Sequence, residues 1–425
     1  MQEFEKYYEN CVVDIQRLVR IDSAQAPALP GMPFGKGAAD SLSLFLDIAA
    51  KMGFETKNYD NYIGEVIFGE GEEFAILSHL DVVPAGSGWT HGAFSGEIAN
   101  GKLYGRGTSD DKGPAVICLH CMKMLKDEGF QPHKKIKLIV GCNEESGWEC
   151  IAHYNKVAHM PAMGFSPDAD FPVIRAEKGI LQLRLHFPLK NAPFAALNAG
   201  ERANMVCDFA RAEGAVFEKA EAQLCGLEID GDSLCARGRA AHASTPEEGD
   251  NALRKLLAFF ARSHEEIANI HSLLFEDALG LTELHDDTGR LTLSPDMATY
   301  EGNELIVTVD IRYPSTHSHE EVLRAFRHAG IEYEITHHQL PLYNSADSPL
   351  VAALRRVYEE ETGESGEPIA IGGGTYARAL TCGAGFGPQF PGEPSTIHQK
   401  DEYISLENVR KLLRIYRAAI RELTR

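Results

Sequence analysis

Positive charge is in short supply in this chain. Lys and Arg together number 41 against 62 Asp and Glu, a formal net charge of −21 at pH 7. Such a surface repels polyanions and anionic membranes, which sets aside nucleic acid and lipid as partners. Long apolar runs are missing as well. The opening stretch MQEFEKYYENCVVDIQRLVR mixes charges through its length, so neither a secretory signal nor a membrane span is expected there. The nine cysteines are odd in number and scattered, without zinc-ribbon spacing, a pattern expected of free thiols in a reducing cytoplasm. Low-complexity tracts and short-period repeats are absent, and a hydrophobic fraction of 44% suits a folded globular chain.

Several catalytic signatures are missing too. No G-x-S-x-G supports a serine hydrolase, and no H-E-x-x-H supports a zincin. The triplet in IGGGTYARA has no Gly-Lys-Ser/Thr after it and no G-x-G-x-x-G frame occurs, so nucleotide binding has little support.

What is present is 425 residues, enough for two or three domains with sizeable cores. Val12, Ile15, Leu18 and Val19 fall on one face of an opening helix, and a second helix is expected from about Asp40 to Met52 after the loop APALPGMPFGKG. The run Phe74 to Leu80 reads as a buried strand, residues 114 to 130 as a helix, and KKIKLIVGCNEES as strand then loop. This alternation predicts an α/β fold, a mixed and mostly parallel sheet layered with helices as α/β/α. From about Gly179 the texture changes to period-2 segments such as ILQLRLHF and NELIVTVDIRYP between helical stretches, predicting a separate α+β domain. The closing LENVRKLLRIYRAAIRELTR is helical and docks back on the first domain. The expected organisation is therefore a first domain in two parts, residues 1–178 and 342–425, around an insert at 179–341.

Candidate chemistry starts at GRGTSDDKGP, which sets Asp110 and Asp111 side by side in a glycine-rich turn ahead of a helical run. Adjacent carboxylates repel, and burying them requires compensation. In SHLDVV, His79 and Asp81 lie two apart on an expected strand near its C-terminal end, where open α/β sheets bind ligands. Glu144 and Glu145 follow another expected strand, Asp168 follows a short apolar stretch, and His398 precedes the last helix. Taken singly, each reads as an ordinary structural or surface residue. Taken together, three carboxylates at Asp110, Glu145 and Asp168 with imidazoles at His79 and His398 suit a pair of divalent cations, with one carboxylate bridging. Glu144 is then left beside a ligand, where a general base belongs.

With these motifs in view, the chain resembles the co-catalytic metallopeptidase family of glutamate carboxypeptidase, aminoacylase and the ArgE and DapE deacylases, and most closely its PepV-type dipeptidase branch. Nine segments keep the family order: SHLDVVPAGSGW, GKLYGRGTSDDKGP, NEESG, SPDADFP, NMV, AAHASTPEEGDNA, DIRYP, GGGTYARA and FPGEPSTIHQKDEYI. The resemblance implies that His79 and Asp168 hold one ion, Glu145 and His398 the other, and that Asp110 bridges them. It makes Asp81 the residue that orients His79, Glu144 the general base, and the first domain catalytic with the insert as a lid. It further implies a cis peptide after the bridging aspartate. In the lid it assigns His242 of GRAAHAS to the oxyanion, Arg312 of DIRYP to the substrate's C-terminal carboxylate and Asn204 to the same neighbourhood. Gly373, Gly374 and Thr375 line the substrate pocket by the same resemblance. Many carboxypeptidases and deacylases of the family carry aspartate where this chain has Tyr376, whereas the dipeptidase branch carries tyrosine.

The implied activity is cytoplasmic, metal-dependent hydrolysis of short peptides, dipeptides and Xaa-His pairs among them. The cofactors are two divalent cations, zinc or manganese, with cobalt also suited to such a ligand set. The alternatives are an N-acyl-amino-acid deacylase or carboxypeptidase of the same family and, from another class, a metal-stabilised binding protein without turnover. A monomer is favoured over a homodimer because the insert is larger than the short lid of dimeric members.

Overall fold

The computed structural model describes residues 2–425. The chain forms two compact units. The first runs through Arg175 and resumes at Asn344–Ile369 and Thr375–Arg425, and the second comprises Ala176–Tyr343 and Ala370–Gly374.

In the first unit the sheet is mixed. Strands Lys134–Gly141, Glu72–His79, Met163–Ser166 and Cys382–Gly385 lie side by side and parallel at its centre. Antiparallel pairings flank them, through Ile63–Phe68 and Glu55–Tyr59 on one side and Ile174 on the other. The central strands are buried along nearly their whole length and read as near-continuous apolar runs, as parallel strands covered by helices do. Helix Gln2–Val19 buries Val12, Ile15, Leu18 and Val19 as expected. It packs with Lys112–Asp127 and with Leu406–Thr424, whose Val409, Leu413, Tyr416 and Ile420 are buried.

Two boundaries differ from expectation. The strand expected to carry both His79 and Asp81 ends at His79, so Asp81 lies beyond it. The second helix starts at Lys36, four residues early, and takes in Gly37. A Cβ on Gly37 would stand 1.8 Å from the Asp22 carbonyl oxygen, so this glycine serves close backbone approach rather than loop flexibility.

The second unit is built on an eight-stranded sheet whose longest strands, Gly179–Pro188, Thr292–Glu301 and Glu304–Tyr313, pair antiparallel. Leu181, Leu183 and Leu185 alternate inward on one strand and Val307, Val309 and Ile311 on its neighbour, which gives this α+β unit a core of its own. The long helical stretch from Asn251 breaks into Ala252–Ala261 and Glu265–Phe275. Among the described residues no helix is long and apolar enough to cross a membrane.

Candidate metal centre

The C-terminal ends of the parallel strands bring the site together. His79 is the last residue of its strand and pairs in register with Gly141, after which the neighbouring chain turns into the loop carrying Glu144 and Glu145. Asp168 lies two residues beyond Met163–Ser166. Asp110 arrives from the turn before helix Lys112–Asp127, and His398 from the loop before the last helix, at φ 59°.

Asp110 is the centre of this group. Its Oδ1 is 3.0 Å from His79 Nε2, and its Oδ2 is 2.8 Å from His398 Nε2. Asp168 Oδ2 lies 3.5 Å from His79 Nε2, and Glu145 Oε2 lies 3.2 Å from His398 Nε2. One carboxylate thus faces both imidazoles, and each imidazole has a second carboxylate of its own. His79, Asp110 and Glu145 present ligand atoms within 4.8 Å of one another.

Burial makes this arrangement electrostatically demanding. It pushes up the carboxyl pKa values of Asp168 and Glu145, the latter to about 7, and the charge of Asp110 adds to both shifts. Burial alone would lower the pKa of His398, but hydrogen bonding to Asp110 and Glu145 raises it to about 11. His79 Nε2 and Glu145 Oε1 are buried and make no hydrogen bond. Acidic groups crowded around unsatisfied ligand atoms fit divalent cations, which relieve the repulsion and use the spare lone pairs.

The supporting contacts are as informative. His79 Nδ1 is 3.0 Å from the Asp81 carbonyl oxygen and 3.5 Å from its Oδ1. The Asp81 carboxylate itself accepts from the backbone N–H of Glu144 at 3.0 Å and of Glu145 at 3.1 Å. The carboxylate therefore fixes the glutamate loop, while the Asp81 carbonyl oxygen faces the imidazole. Asp111 turns away from the cluster and accepts from the His79 backbone N–H at 3.1 Å and from the Ser78 hydroxyl. The peptide between Asp110 and Asp111 is cis. Here is the answer to the paired aspartates: one faces the candidate ligands, and the other anchors the strand that delivers His79.

Sequence reasoning missed Glu402. Its buried carboxylate accepts from the backbone N–H groups of Gly107, Ser109 and Asp110 and from Arg106 Nη1. It also missed Trp148, whose indole Nε1 donates to Glu144 Oε1 at 3.1 Å. Tyr376 is fully buried with its hydroxyl 2.7 Å from Cys150 Sγ, and a Cβ on Gly141 would meet that hydroxyl at 2.3 Å. Thr375 caps the short helix Tyr376–Ala379 by accepting from the Ala377 N–H.

The remaining candidates lie in the second unit, as do Gly373 and Gly374. His242 is exposed, and its Nδ1 accepts from the Ser244 backbone N–H at 3.1 Å. That bond places the lone pair on Nδ1 and the proton on Nε2, making Nε2 a donor. Asn204 sits beside it, since the Ala243 N–H donates to the Asn204 carbonyl oxygen at 3.0 Å and Met205 bridges to His242. Arg312 is buried and doubly bonded to Asp310, at 2.6 Å from Nε and 3.1 Å from Nη2. Gln182 Nε2 then ties Asp310 to the Ala203 carbonyl oxygen, next to Asn204. Asp310 and Gln182 carried no distinguishing sequence signal beyond the motif around Arg312.

Residues 75–422 match the model of peptidase family M20/M25/M40. The chain is 38% identical to the putative dipeptidase YtjP of Bacillus subtilis, over 98% of each chain. It is 34% identical to a beta-Ala-Xaa dipeptidase of Lactobacillus delbrueckii subsp. lactis, over 97% of this chain and 95% of that protein. The fold matches human carnosine dipeptidase 1 with a TM-score of 0.63 at 15% identity, covering 100% of this chain and 98% of that one. It also matches the Saccharomyces cerevisiae dipeptidase Dug1p, with a TM-score of 0.62 at 13% identity over 100% and 97% of the two chains. A metal-suited cluster at the strand ends and a family match over most of the sequence lead to one conclusion: the chain belongs to peptidase family M20/M25/M40.

Proposed function

We propose that this protein is a metal-dependent dipeptidase that hydrolyses the peptide bond of short substrates. The observation that carries the reading is Asp110, set between His79 and His398 with a further carboxylate beside each imidazole. The dipeptidases among its relatives, one of them specific in name for beta-Ala-Xaa, support peptides as substrates.

In this reading His79 and Asp168 would hold one divalent ion and Glu145 and His398 the other, with Asp110 shared between them; zinc and manganese suit these donors, and cobalt also does. Ions bound there supply Lewis acidity to the scissile carbonyl and lower the pKa of the attacking water. Glu144 is the general base: it takes a proton from that water and passes it to the leaving amine. Asp81 holds the backbone of Glu144 and Glu145 so that base and ligand keep fixed places. His242 donates from Nε2 to the oxyanion. Arg312, braced by Asp310, binds the substrate carboxylate, with Asn204, Gly373, Gly374 and Thr375 contributing to substrate binding. The chain acts as a monomer in the cytoplasm, a compartment supported by nine free cysteines, seven of them buried.

The test is hydrolysis of a dipeptide panel, β-Ala-His and Xaa-His pairs included, against N-acyl amino acids, using chelator-stripped protein with zinc or manganese restored. Metal-restored cleavage of dipeptides supports the reading. Preference for acylated amino acids replaces it with a deacylase, and metal binding without any cleavage replaces it with a binding protein.

A further inference from the structure

Glu144 is held on one side by a residue that the reaction scheme above leaves unused. The loop Asn143–Trp148 is tightly specified: the Trp148 backbone N–H donates to the Asn143 carbonyl oxygen at 2.9 Å, Asn143 Oδ1 accepts from the Glu149 N–H at 2.9 Å, and Asn143 Nδ2 donates to Ser146 Oγ at 2.7 Å. Trp148 adopts φ 63°, in the left-handed region that non-glycine residues seldom occupy, at the start of helix Glu149–Val157. This backbone folds the indole back over Glu144, with Nε1 at 3.1 Å from Oε1. The ring is then wedged edge-on against buried Tyr376, centroids 5.0 Å apart, and Tyr376 packs edge-on against His79 at 6.0 Å. An aromatic chain thus runs from the residue beneath the base to a candidate metal ligand.

We propose that Trp148 is a positioning residue for turnover: its indole N–H holds Oε1 of Glu144 and thereby presents Oε2 to the reacting water. The proposal rests on the reading of Glu144 as the general base. The chemistry favours an indole for this task. It donates but neither accepts nor titrates, so it cannot compete for the transferred proton. A lysine or arginine in its place would grip the carboxylate with a full charge and weaken its hold on a proton. A neutral donor orients the group with less loss of basicity.

The test uses the full chain with manganese restored. Trp148→Phe keeps the ring and removes the N–H. It is expected to lower kcat roughly ten-fold, the scale of one hydrogen bond to a charged group, with KM within two-fold and metal content unchanged. A second readout needs no turnover. Trp148 is one of two tryptophans, and the other, Trp89, donates to the Ala85 carbonyl oxygen. Comparing indole emission of chelator-stripped wild type and Glu144→Ala therefore reports the Trp148 contact, and a shift in the emission maximum is expected. Wild-type kcat in Trp148→Phe, a loss confined to KM, or identical emission in the two proteins overturns the proposal. Glu144→Gln separates the two readings. If it stays active, the base assignment falls and this inference with it; if it is inactive while Trp148→Phe turns over normally, only the role of Trp148 falls.

Discussion

Arg106 and Glu402 form a buried ion pair, Nη1 to Oε2 at 2.7 Å, with side chains 2% and 0% exposed. The same carboxylate gathers three backbone N–H groups of the turn that ends in Asp110. Removing one partner of such a pair strands the other charge out of water. Glu402→Ala is expected to destabilise the protein by about 3 kcal/mol or more and to weaken metal binding by loosening Asp110. Denaturant unfolding and metal titration of the variant measure the two effects, and wild-type values in both would show that the turn holds its shape without the clamp.

The proposed division between base and ligand gives opposite metal phenotypes. Glu144→Ala should lose at least roughly a hundred-fold in kcat, the contribution of a positioned general base, while keeping its metal. Asp110→Ala should lose both turnover and metal. Elemental analysis beside steady-state kinetics distinguishes them, and near-wild-type activity in Glu144→Ala would remove the base assignment.

Asp310 braces Arg312 through two hydrogen bonds. Asp310→Asn keeps the shape but takes away the charge that aligns the guanidinium. KM for a dipeptide is expected to rise roughly ten-fold with little change in kcat, since a charge-assisted pair is lost. The C-terminal amide of the same dipeptide should be indifferent to the substitution. An equal effect on both substrates would argue against Arg312 as the carboxylate's partner.

Divalent ions should also stabilise the fold. Protein stripped by chelation keeps a crowded group of carboxyls whose pKa values burial has raised. Ions that bind only the folded chain add about 4 kcal/mol at a thousand times their dissociation constant. Calorimetry with and without manganese should show the unfolding transition several degrees higher with the ion, and an unchanged transition would count against a metal centre here.

The second unit holds a pH-sensitive group of its own. Asp296 is fully buried, its Oδ2 has no hydrogen-bond partner, and burial pushes its pKa up to about 8, with Asp310 adding to the shift and the Ser294 hydroxyl opposing it. Between the ordinary aspartate pKa near 4 and this value, the folded chain holds a proton that the unfolded chain has released, so its contribution to stability falls as pH rises through that window. Asp296→Asn removes the titration. Relative to wild type the variant should therefore gain stability steadily from pH 4 to pH 8 in chemical unfolding; a flat difference would show Asp296 ionised throughout.

The two sheets were legible in the sequence because apolar runs and period-2 segments mark strands by composition alone, as in Phe74 to Leu80 and Leu181 to Leu185. His79, Asp110, Glu145, Asp168 and His398 could be singled out because His79 ends such a run, Glu145 and Asp168 follow one, and Asp110 and His398 precede helical stretches; the structure brings all five together. What supports them was not legible. Glu402 sits in HQKDEYI, a polar stretch that composition alone would place in solvent, and its burial depends on a turn nearly three hundred residues earlier in the chain. Asp81 looked like a strand neighbour of His79, whereas its strongest bonds are to backbone N–H groups of another loop, which no local period encodes.

The fit of Tyr376 over Gly141 means that these two positions form one steric unit. A bulkier residue at 141 and a phenol at 376 exclude each other, so any lineage exchanging Tyr376 for a smaller acidic group opens a hollow under the strand end and frees position 141 to grow. A substitution at this point therefore has to move both residues at once; changing the tyrosine alone trades a filled contact for an empty space beside His79.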